Sequence, residues 1–237
     1  MNNWETILLD LEKRFYIELI MWIVELLAII LGIIYVRQQT LGKLFLLYLV
    51  VDFIILNIGI YLQYFFKKTI LTSSFINYTN TLISLIELFI YYHYFKIVIE
   101  NQKTKVLLNT LSIVYISIIF LFVTNNFKFV SHNLAYLSYS ISAIGFAFLL
   151  FPCALYFFEL MNKNSVESLL EKPSFWIVTG VFFYSIISIP YYLLDNLLNT
   201  NRSTYRIMLS AIFFYFPFTL NFVFLIKAFL CRKPLQI

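Results

Sequence analysis

Seven runs of apolar residues, each long enough to cross a lipid bilayer as a helix, divide this sequence of 237 residues. A transmembrane helix needs about 20 such residues to cross the roughly 30 Å hydrocarbon core. Short connections that carry most of the charged residues separate the runs. The pattern predicts an all-α polytopic membrane protein, a bundle of about seven transmembrane helices. The predicted spans lie near residues 16–36, 44–66, 80–99, 106–124, 134–159, 174–195 and 207–230.

The composition agrees with lipid as the solvent, because 62% of the residues are apolar and 12% are charged. Soluble domains are closer to about one half and about one quarter. The first 15 residues differ from the apolar runs, because their apolar side chains recur at helical spacing between charged ones. We therefore predict an amphipathic interfacial segment at residues 1–15 and a single transmembrane domain at residues 16–237. The run that begins at Phe15 is too long for the core of a cleavable signal peptide and lacks an Ala-x-Ala site.

The distribution of lysine and arginine predicts the orientation in the membrane. With the N-terminus outside, ten of the 17 basic residues lie in inner connections and seven lie outside. Cytoplasmic connections are usually the more basic ones, so this small excess favours N-terminus out and C-terminus in. We expect a multi-pass protein of a cell inner membrane. The polar connection at residues 161–173 is the longest on the cytoplasmic side.

The residue inventory predicts neither a metal site nor a cofactor. Cys153 and Cys231 lie in or at the end of apolar runs on the predicted cytoplasmic side, which indicates no disulfide framework. His93 and His132 have no second ligand at a helix-compatible spacing. A retinal protein needs a lysine deep in its last helix, whereas Lys227 lies near the inner end. The scattered basic residues also argue against a nucleic-acid partner.

Acidic residues inside the apolar runs are the most informative feature of the sequence. A charged side chain at the centre of a span costs roughly 2.5–3.5 kcal/mol on insertion, so such residues usually face the bundle interior. Glu25 lies roughly 15 Å from the outer end of the first helix at 1.5 Å per residue. Asp52 and Glu87 occupy comparable positions in the second and third helices. Because no lysine or arginine accompanies them within the spans, we expect them to be protonated, hydrogen-bonded or lining a polar cavity.

Polar residues on the third helix form one continuous stripe. At i, i+4, i+7, i+11 and i+14 the stripe contains Asn80, Ser84, Glu87, Tyr91 and Tyr94. His93 falls on the opposite face. Shorter stripes occur on the first, second, fifth, sixth and seventh helices, the last of which includes Asn221, while the fourth helix offers little. We expect six polar faces to point inward and the fourth helix to lie at the rim, although such residues also serve as ordinary packing contacts between helices.

Each of the last three predicted helices contains one proline. Pro152, Pro190 and Pro217 each remove a backbone hydrogen bond, so we predict a bend at each position.

Three segments carry a family resemblance: residues 80–95 (NTLISLIELFIYYHYF), 169–184 (LLEKPSFWIVTGVFFY) and 221–233 (NFVFLIKAFLCRK). In order and spacing they resemble an uncharacterised family of small seven-helix integral membrane proteins that is common in Bacteroidetes. Members are often encoded near two-component signalling genes, so the resemblance implies a sensory or signalling-accessory role. No binding residues are established in that family, and none is carried over.

These observations lead to a hypothesis of a non-enzymatic, sensor-like protein that is surrounded by membrane lipids. It binds a small or lipid-like ligand inside the bundle and signals to a cytoplasmic or membrane partner. The predicted ligand-binding residues are Glu25, Asp52, Ser84, Glu87, Tyr91 and Asn221. A transporter or channel for a small solute is one alternative. An intramembrane lipid-modifying enzyme is another, and it requires two of the carboxyls to lie within about 5–7 Å of each other.

Overall fold

All of the regular secondary structure in the described part of the chain is helical. A computed structural model describes residues 3–35, 40–65, 70–125, 134–162, 169–197 and 211–231. Within these residues a 3₁₀ turn covers Leu169–Glu171 and a π-helical turn covers Ala211–Tyr215. The α-helices are α1 (Asn3–Tyr35), α2 (Thr40–Phe65), α3 (Ile70–Val98), α4 (Gln102–Asn125), α5 (Leu134–Asn162), α6 (Pro173–Leu197) and α7 (Phe216–Phe229).

Several of these helices are long and apolar enough to cross a membrane. Among the described residues, four helices contain such a stretch, and α7 is apolar but has only 14 residues. The four stretches are Tyr16–Tyr35, Gln102–Leu121, Ser140–Asn162 and Pro173–Leu193. The structure therefore confirms the all-helical class and supports a membrane protein.

Two helices extend beyond the apolar runs that predicted them. Helix α1 continues without a break from Asn3 to Tyr35, and its 33 residues span about 50 Å at 1.5 Å per residue. The side chains of residues 3–15 lie outside the described ones, so the interfacial position of this segment stays a prediction. Helix α3 begins at Ile70, ahead of the predicted start at residue 80. Hydropathy marks where a helix is apolar, whereas a polar stretch at the end of a span can continue the same backbone hydrogen bonding.

Six of the helices pack side by side in a closed ring. The neighbouring pairs are α1 with α2, α2 with α3, α3 with α5, α5 with α6, α6 with α7, and α7 with α1. Helix α4 is outside the ring and packs mainly against α5, and 11% of its apolar stretch is buried. The predicted rim position of the fourth helix is confirmed.

The outer surface of the ring is apolar, as expected for a protein that contacts lipid. On α1 the exposed side chains include Ile20, Ile23 and Ile34, and on α3 they include Phe89. His93 is also exposed, which confirms its predicted position away from the polar stripe. The buried charged residues in the described part of the chain therefore lie inside a bundle with an apolar outer surface.

Aromatic side chains fill one half of the ring interior, the half toward the end of α3 and the beginning of α2. The ring of Phe45 packs edge-on against Tyr94 with centroids 5.2 Å apart, and it lies 5.8 Å from Tyr91. Tyr94 in turn packs against Phe95 at 6.0 Å, and all four side chains are fully buried. Tilted and edge-to-face geometries of this kind are favourable for aromatic pairs. This half of the interior is a packed core.

Connections at the same end of the ring are held by specific contacts. The carboxylate of Glu159 at the end of α5 accepts hydrogen bonds from the backbone N–H groups of Glu100 and Asn101, each at 3.2 Å. These N–H groups precede α4, where a helix leaves its donors without internal partners. Trp176 donates to the carbonyl of Leu170 at 2.8 Å and so fixes the 3₁₀ turn against α6. This end of the bundle therefore has a defined structure.

The three prolines occupy two different kinds of position. Pro152 lies inside α5 and Pro190 lies inside α6, and the predicted bends at these two residues stay predictions. Pro217 lies in the first turn of α7, directly after the π-helical turn. In a regular α-helix the proline ring clashes with the backbone carbonyl four residues earlier, and the wider π turn moves that carbonyl away from the ring. The irregularity predicted at Pro217 thus takes the form of a π turn.

Close packing of α6 on α7 makes Gly180 a sensitive position. A Cβ atom at Gly180 would lie 2.8 Å from the Cβ of Phe224 and 2.9 Å from Oδ1 of Asn221. Since the Cβ of Phe224 is fixed to its backbone, the two helices must separate to admit a methyl group. We expect Gly180→Ala to lower the free energy of unfolding by about 1–3 kcal/mol, measured by denaturant titration in detergent micelles.

Gly32→Ala is the matched control for this substitution. Its Cβ would meet the flexible end of Leu46 at 3.0 Å, which can move aside. With the better helix propensity of alanine, this variant should be neutral or slightly stabilising. Equal effects of the two substitutions would contradict the packing argument.

Candidate functional site

Three carboxyl groups from three neighbouring helices lie in the ring interior. Glu25 of α1, Asp52 of α2 and Glu87 of α3 expose 0%, 2% and 3% of their surface. Asp52 lies at the midpoint of α2, and α2 is the helix between α1 and α3 in the ring. We call these three residues the carboxyl cluster. Their predicted inward orientation is confirmed.

The carboxyls are close enough to influence one another. Asp52 interacts electrostatically with both Glu25 and Glu87, so it connects the cluster across the three helices. Within the described residues, however, no three acidic, histidine or cysteine side chains are arranged so that they could hold a metal ion. The carboxyls thus form an extended series rather than a compact ligand set.

Most oxygen atoms of the carboxyl cluster have no hydrogen-bond partner in the protein. This holds for both oxygens of Glu25, for Oδ2 of Asp52 and for Oε1 of Glu87. Among the described side chains, the buried charged residues are all acidic, so no lysine or arginine compensates them there. A buried polar group without a partner costs about 1–3 kcal/mol, and more when it is charged. Native proteins retain such groups mainly where water, an ion or a ligand completes them.

Tyrosine hydroxyls surround the carboxyl cluster. Tyr48 of α2, Tyr91 of α3 and Tyr184 of α6 are buried and interact electrostatically with both Asp52 and Glu87. The hydroxyl of Tyr48 faces the Glu87 carboxyl but completes no hydrogen bond. Helix α6 adds two further buried hydroxyls without partners, Ser185 and Ser188. The interior therefore contains polar groups from both sides of the ring.

One hydrogen bond crosses the ring. Nδ2 of Asn221 donates to the hydroxyl oxygen of Tyr91 at 3.0 Å, and both side chains are buried. Their helices, α7 and α3, occupy opposite positions in the ring order. Tyr91 is one turn from Glu87 and also contacts Phe45 of the aromatic core. The bridge therefore lies between the carboxyl cluster and the aromatic core.

Ser84, another of the predicted ligand-binding residues, takes part in the contact between α3 and α5. Its hydroxyl lies 3.1 Å from that of Ser142 on α5, and either group can donate. The side chain is half-buried at the interface of α3 and α5. Asn80, at the start of the predicted stripe, lies outside the described side chains.

A fourth buried carboxyl, that of Glu18, lies two turns before Glu25 on α1. Glu18 is 3% exposed and accepts a hydrogen bond of 2.9 Å from the hydroxyl of Tyr215. Tyr215 belongs to the π-helical turn before α7, and such turns are frequent at functional sites. Glu18 differs from Glu25 because one of its oxygens has a protein partner.

Sequence reasoning missed two of these tyrosines. Tyr184 lies in an apolar run, yet it is four residues before Ser188 and so shares a face with that polar position. Extending the stripe of the sixth helix by one turn would have found it. Tyr215 gives no such signal, because its position depends on the π turn and on a contact with a residue 197 positions away.

Comparison of the chain with protein-family models, curated proteins and solved structures gave no match. The resemblance to the Bacteroidetes family stays a prediction, and the argument for a site rests on its geometry.

The cross-ring bridge can be tested by its energetics. We expect Tyr91→Phe to lower the free energy of unfolding in detergent by about 0.6–1.7 kcal/mol, as for other hydrogen bonds between membrane helices. Asn221→Leu alone should cost a similar amount, and the double variant should cost less than the sum because the first change already breaks the bond. Strict additivity would contradict a direct Tyr91–Asn221 interaction.

Tyr92→Phe provides a control on the same helix. Tyr92 donates to Oδ1 of Asn109 at 2.7 Å, but this pair lies on the α4 side and is only partly buried. The coupling of Tyr92 with Asn221 should be zero within error.

Proposed function

We propose that this protein is a seven-span, non-enzymatic membrane receptor that binds a small polar ligand at the carboxyl cluster. The observation that carries the proposal is the set of unpartnered oxygens on Glu25, Asp52 and Glu87, buried in the interior of the ring. In lipid there is no bulk water to complete them, so their retention has to be offset by something that enters the site. A bound ligand with hydrogen-bond donors provides that compensation.

The depth of the site supports a receptor rather than an open pore. The Tyr91–Asn221 bridge joins opposite helices one turn from Glu87, and the aromatic core of Phe45 and Tyr94 lies beyond it. A ligand at the carboxyl cluster would meet this barrier on the side of the packed core. The ligand would therefore stop at this barrier and would not cross the bundle. Its binding could still shift the surrounding helices, and that shift could reach the other end of the bundle.

A transporter is the second candidate, and one observation favours it. The hydroxyl of Tyr94, inside the aromatic core, has no partner, and Tyr156 beyond it donates to Ser174 at 2.9 Å. Polar groups thus continue at intervals past the bridge. Opening of the Tyr91–Asn221 contact would connect them with the carboxyl cluster.

Ligand binding can be tested with the purified protein in lipid nanodiscs and a library of polar small molecules. A true ligand should raise the unfolding temperature, since stabilisation follows the logarithm of the ligand concentration divided by Kd and reaches about 2.7 kcal/mol at 100 Kd. Glu87→Gln and Asp52→Asn should abolish this effect, because each replaces an acceptor oxygen by an amide donor. Glu171→Gln, at an exposed position on the 3₁₀ turn, should leave it unchanged.

The outcomes of that screen separate the candidates. Loss of binding in all three variants, or in none, would contradict a site at the carboxyl cluster. If the bound compound also crosses the membrane of proteoliposomes in the wild type but not in Glu87→Gln, the transporter replaces the receptor.

Seven spans with the N-terminus outside and the C-terminus inside are part of the same proposal, which places the protein in a bacterial inner membrane. The excess of basic residues on the predicted inner side supports this direction. In a background with Cys153→Ser and Cys231→Ser, a membrane-impermeant maleimide should label Asn2→Cys and Lys128→Cys in cells with an intact inner membrane. Glu171→Cys should react only after permeabilisation. The reverse pattern would invert the topology, and labelling of all three would contradict the span count between them.

A further inference from the structure

The carboxyl cluster and its surroundings are rich in hydrogen-bond acceptors. The unpartnered atoms of the cluster are oxygens of Glu25, Asp52 and Glu87. Beside Asp52 and Glu87 is the hydroxyl of Tyr48, which is 98% buried, completes no hydrogen bond and can accept as well as donate. No basic side chain is buried among the described residues. A ligand that complements this site must therefore bring donors.

Phenol groups from three helices lie near the same carboxyls. Tyr48, Tyr91 and Tyr184 all interact electrostatically with Glu87. A phenol oxygen can accept a hydrogen bond as well as donate one. These hydroxyls can therefore add acceptors for a ligand that binds at the carboxyls.

We propose that the carboxyl cluster binds the ammonium group of a small organic amine, with Asp52 and Glu87 accepting its N–H groups. This inference rests on the ligand-binding function proposed above. An ammonium head presents three donors and no acceptor, which matches the unpartnered oxygens. A carboxylate head brings acceptors instead of donors and cannot compensate an ionised carboxyl, and a hydroxyl head offers a single donor.

Charge balance in the low-dielectric interior requires that a proton leaves when the amine enters. A carboxyl in a span without a basic neighbour is held as the neutral acid. When the ammonium ion binds, one O–H bond of the cluster breaks, its proton passes to solvent, and the resulting carboxylate pairs with the cation. No other covalent bond changes. Among the described residues, the titratable groups that interact with Asp52 or Glu87 are Glu25 of α1, Tyr48 of α2, Tyr91 of α3 and Tyr184 of α6. Tyr91 in turn interacts with Cys153 of α5 and accepts the hydrogen bond of Asn221 of α7.

The test compares head groups on chains of one length. Butylammonium and 1,4-butanediammonium are titrated against wild-type protein in nanodiscs of phosphatidylcholine, which carries no net charge. Their matched controls are 1-butanol and 1,4-butanediol for the neutral head, and butyrate and succinate for the anionic head. We expect saturable binding of an amine, with the alcohols and the carboxylates binding more weakly or not at all.

Variants locate the binding site. Glu87→Gln and Asp52→Asn should each weaken amine binding by about 10- to 100-fold, the effect of losing one charge-assisted hydrogen bond. Glu171→Gln should bind as the wild type does. Because the comparison of head groups uses the wild type alone, it stands even if a variant fails to fold.

Proton release distinguishes the buried carboxyls from exposed ones. Calorimetry in buffers of different ionisation enthalpy should show about one proton released for each ammonium group bound at the cluster. Exposed carboxylates are already ionised, so amine binding without proton release would overturn the proposal. Absence of amine binding would overturn it as well. If an alcohol or a carboxylate binds through Asp52 and Glu87 instead, the receptor proposal stands and only the proposed ligand class is wrong. If no compound of this panel or of the wider library binds, both the receptor proposal and the amine proposal are wrong.

Discussion

The rest of this structure depends on the burial of three carboxyl groups that have no buried cation to pair with in the described part of the chain. In a soluble protein such groups would be drawn to the surface, but a helix that crosses lipid can only turn them toward other helices. In the proposed seven-span arrangement, the burial of Glu25, Asp52 and Glu87 fixes the rotation of α1, α2 and α3, because any other rotation would place a carboxyl in hydrocarbon. Once these three helices are oriented, their apolar faces are left for lipid, and α5, α6 and α7 close the ring around the polar interior.

The interior of the ring has two different halves, and the difference decides what it can do. Toward the aromatic core, Phe45, Tyr94 and Phe95 pack at the distances of a solid protein interior. At the carboxyl cluster, polar atoms are buried without partners, which a solid interior does not tolerate unless they are compensated. The Tyr91–Asn221 hydrogen bond marks the boundary between the halves. The carboxyl cluster is therefore the half of the interior where polar groups still lack compensation, which is why the proposed ligand is placed there.

Much of this arrangement follows from helical periodicity, and the remainder does not. Glu87 and Tyr91 recur at the spacing of one helix face, so their burial could be read from the sequence, as could the rim position of α4 from its lack of polar residues. The start of α3 at Ile70 could not, because hydropathy does not detect a polar extension of a helix. Nor could the pairing of Asn221 with Tyr91, since periodicity gives the face of each helix but not its neighbours. Partners 130 residues apart are set by the ring order, which only the packed structure defines.

Helix α3 is the element that joins the carboxyl cluster to the far end of the bundle. It carries Glu87 at the cluster, Tyr91 at the cross-ring bridge and Tyr94 in the aromatic core, at successive turns of one face. Its last turn leads into Glu100 and Asn101, whose backbone N–H groups are held by Glu159 of α5. Packed interiors respond to displacement by switching between discrete arrangements rather than by yielding gradually. In the proposed receptor, a ligand that shifts Glu87 would act first on the Tyr91–Asn221 hydrogen bond and then on the connection held by Glu159, so the hydrogen bonds of Glu159 would be where ligand binding changes the shape of the surface.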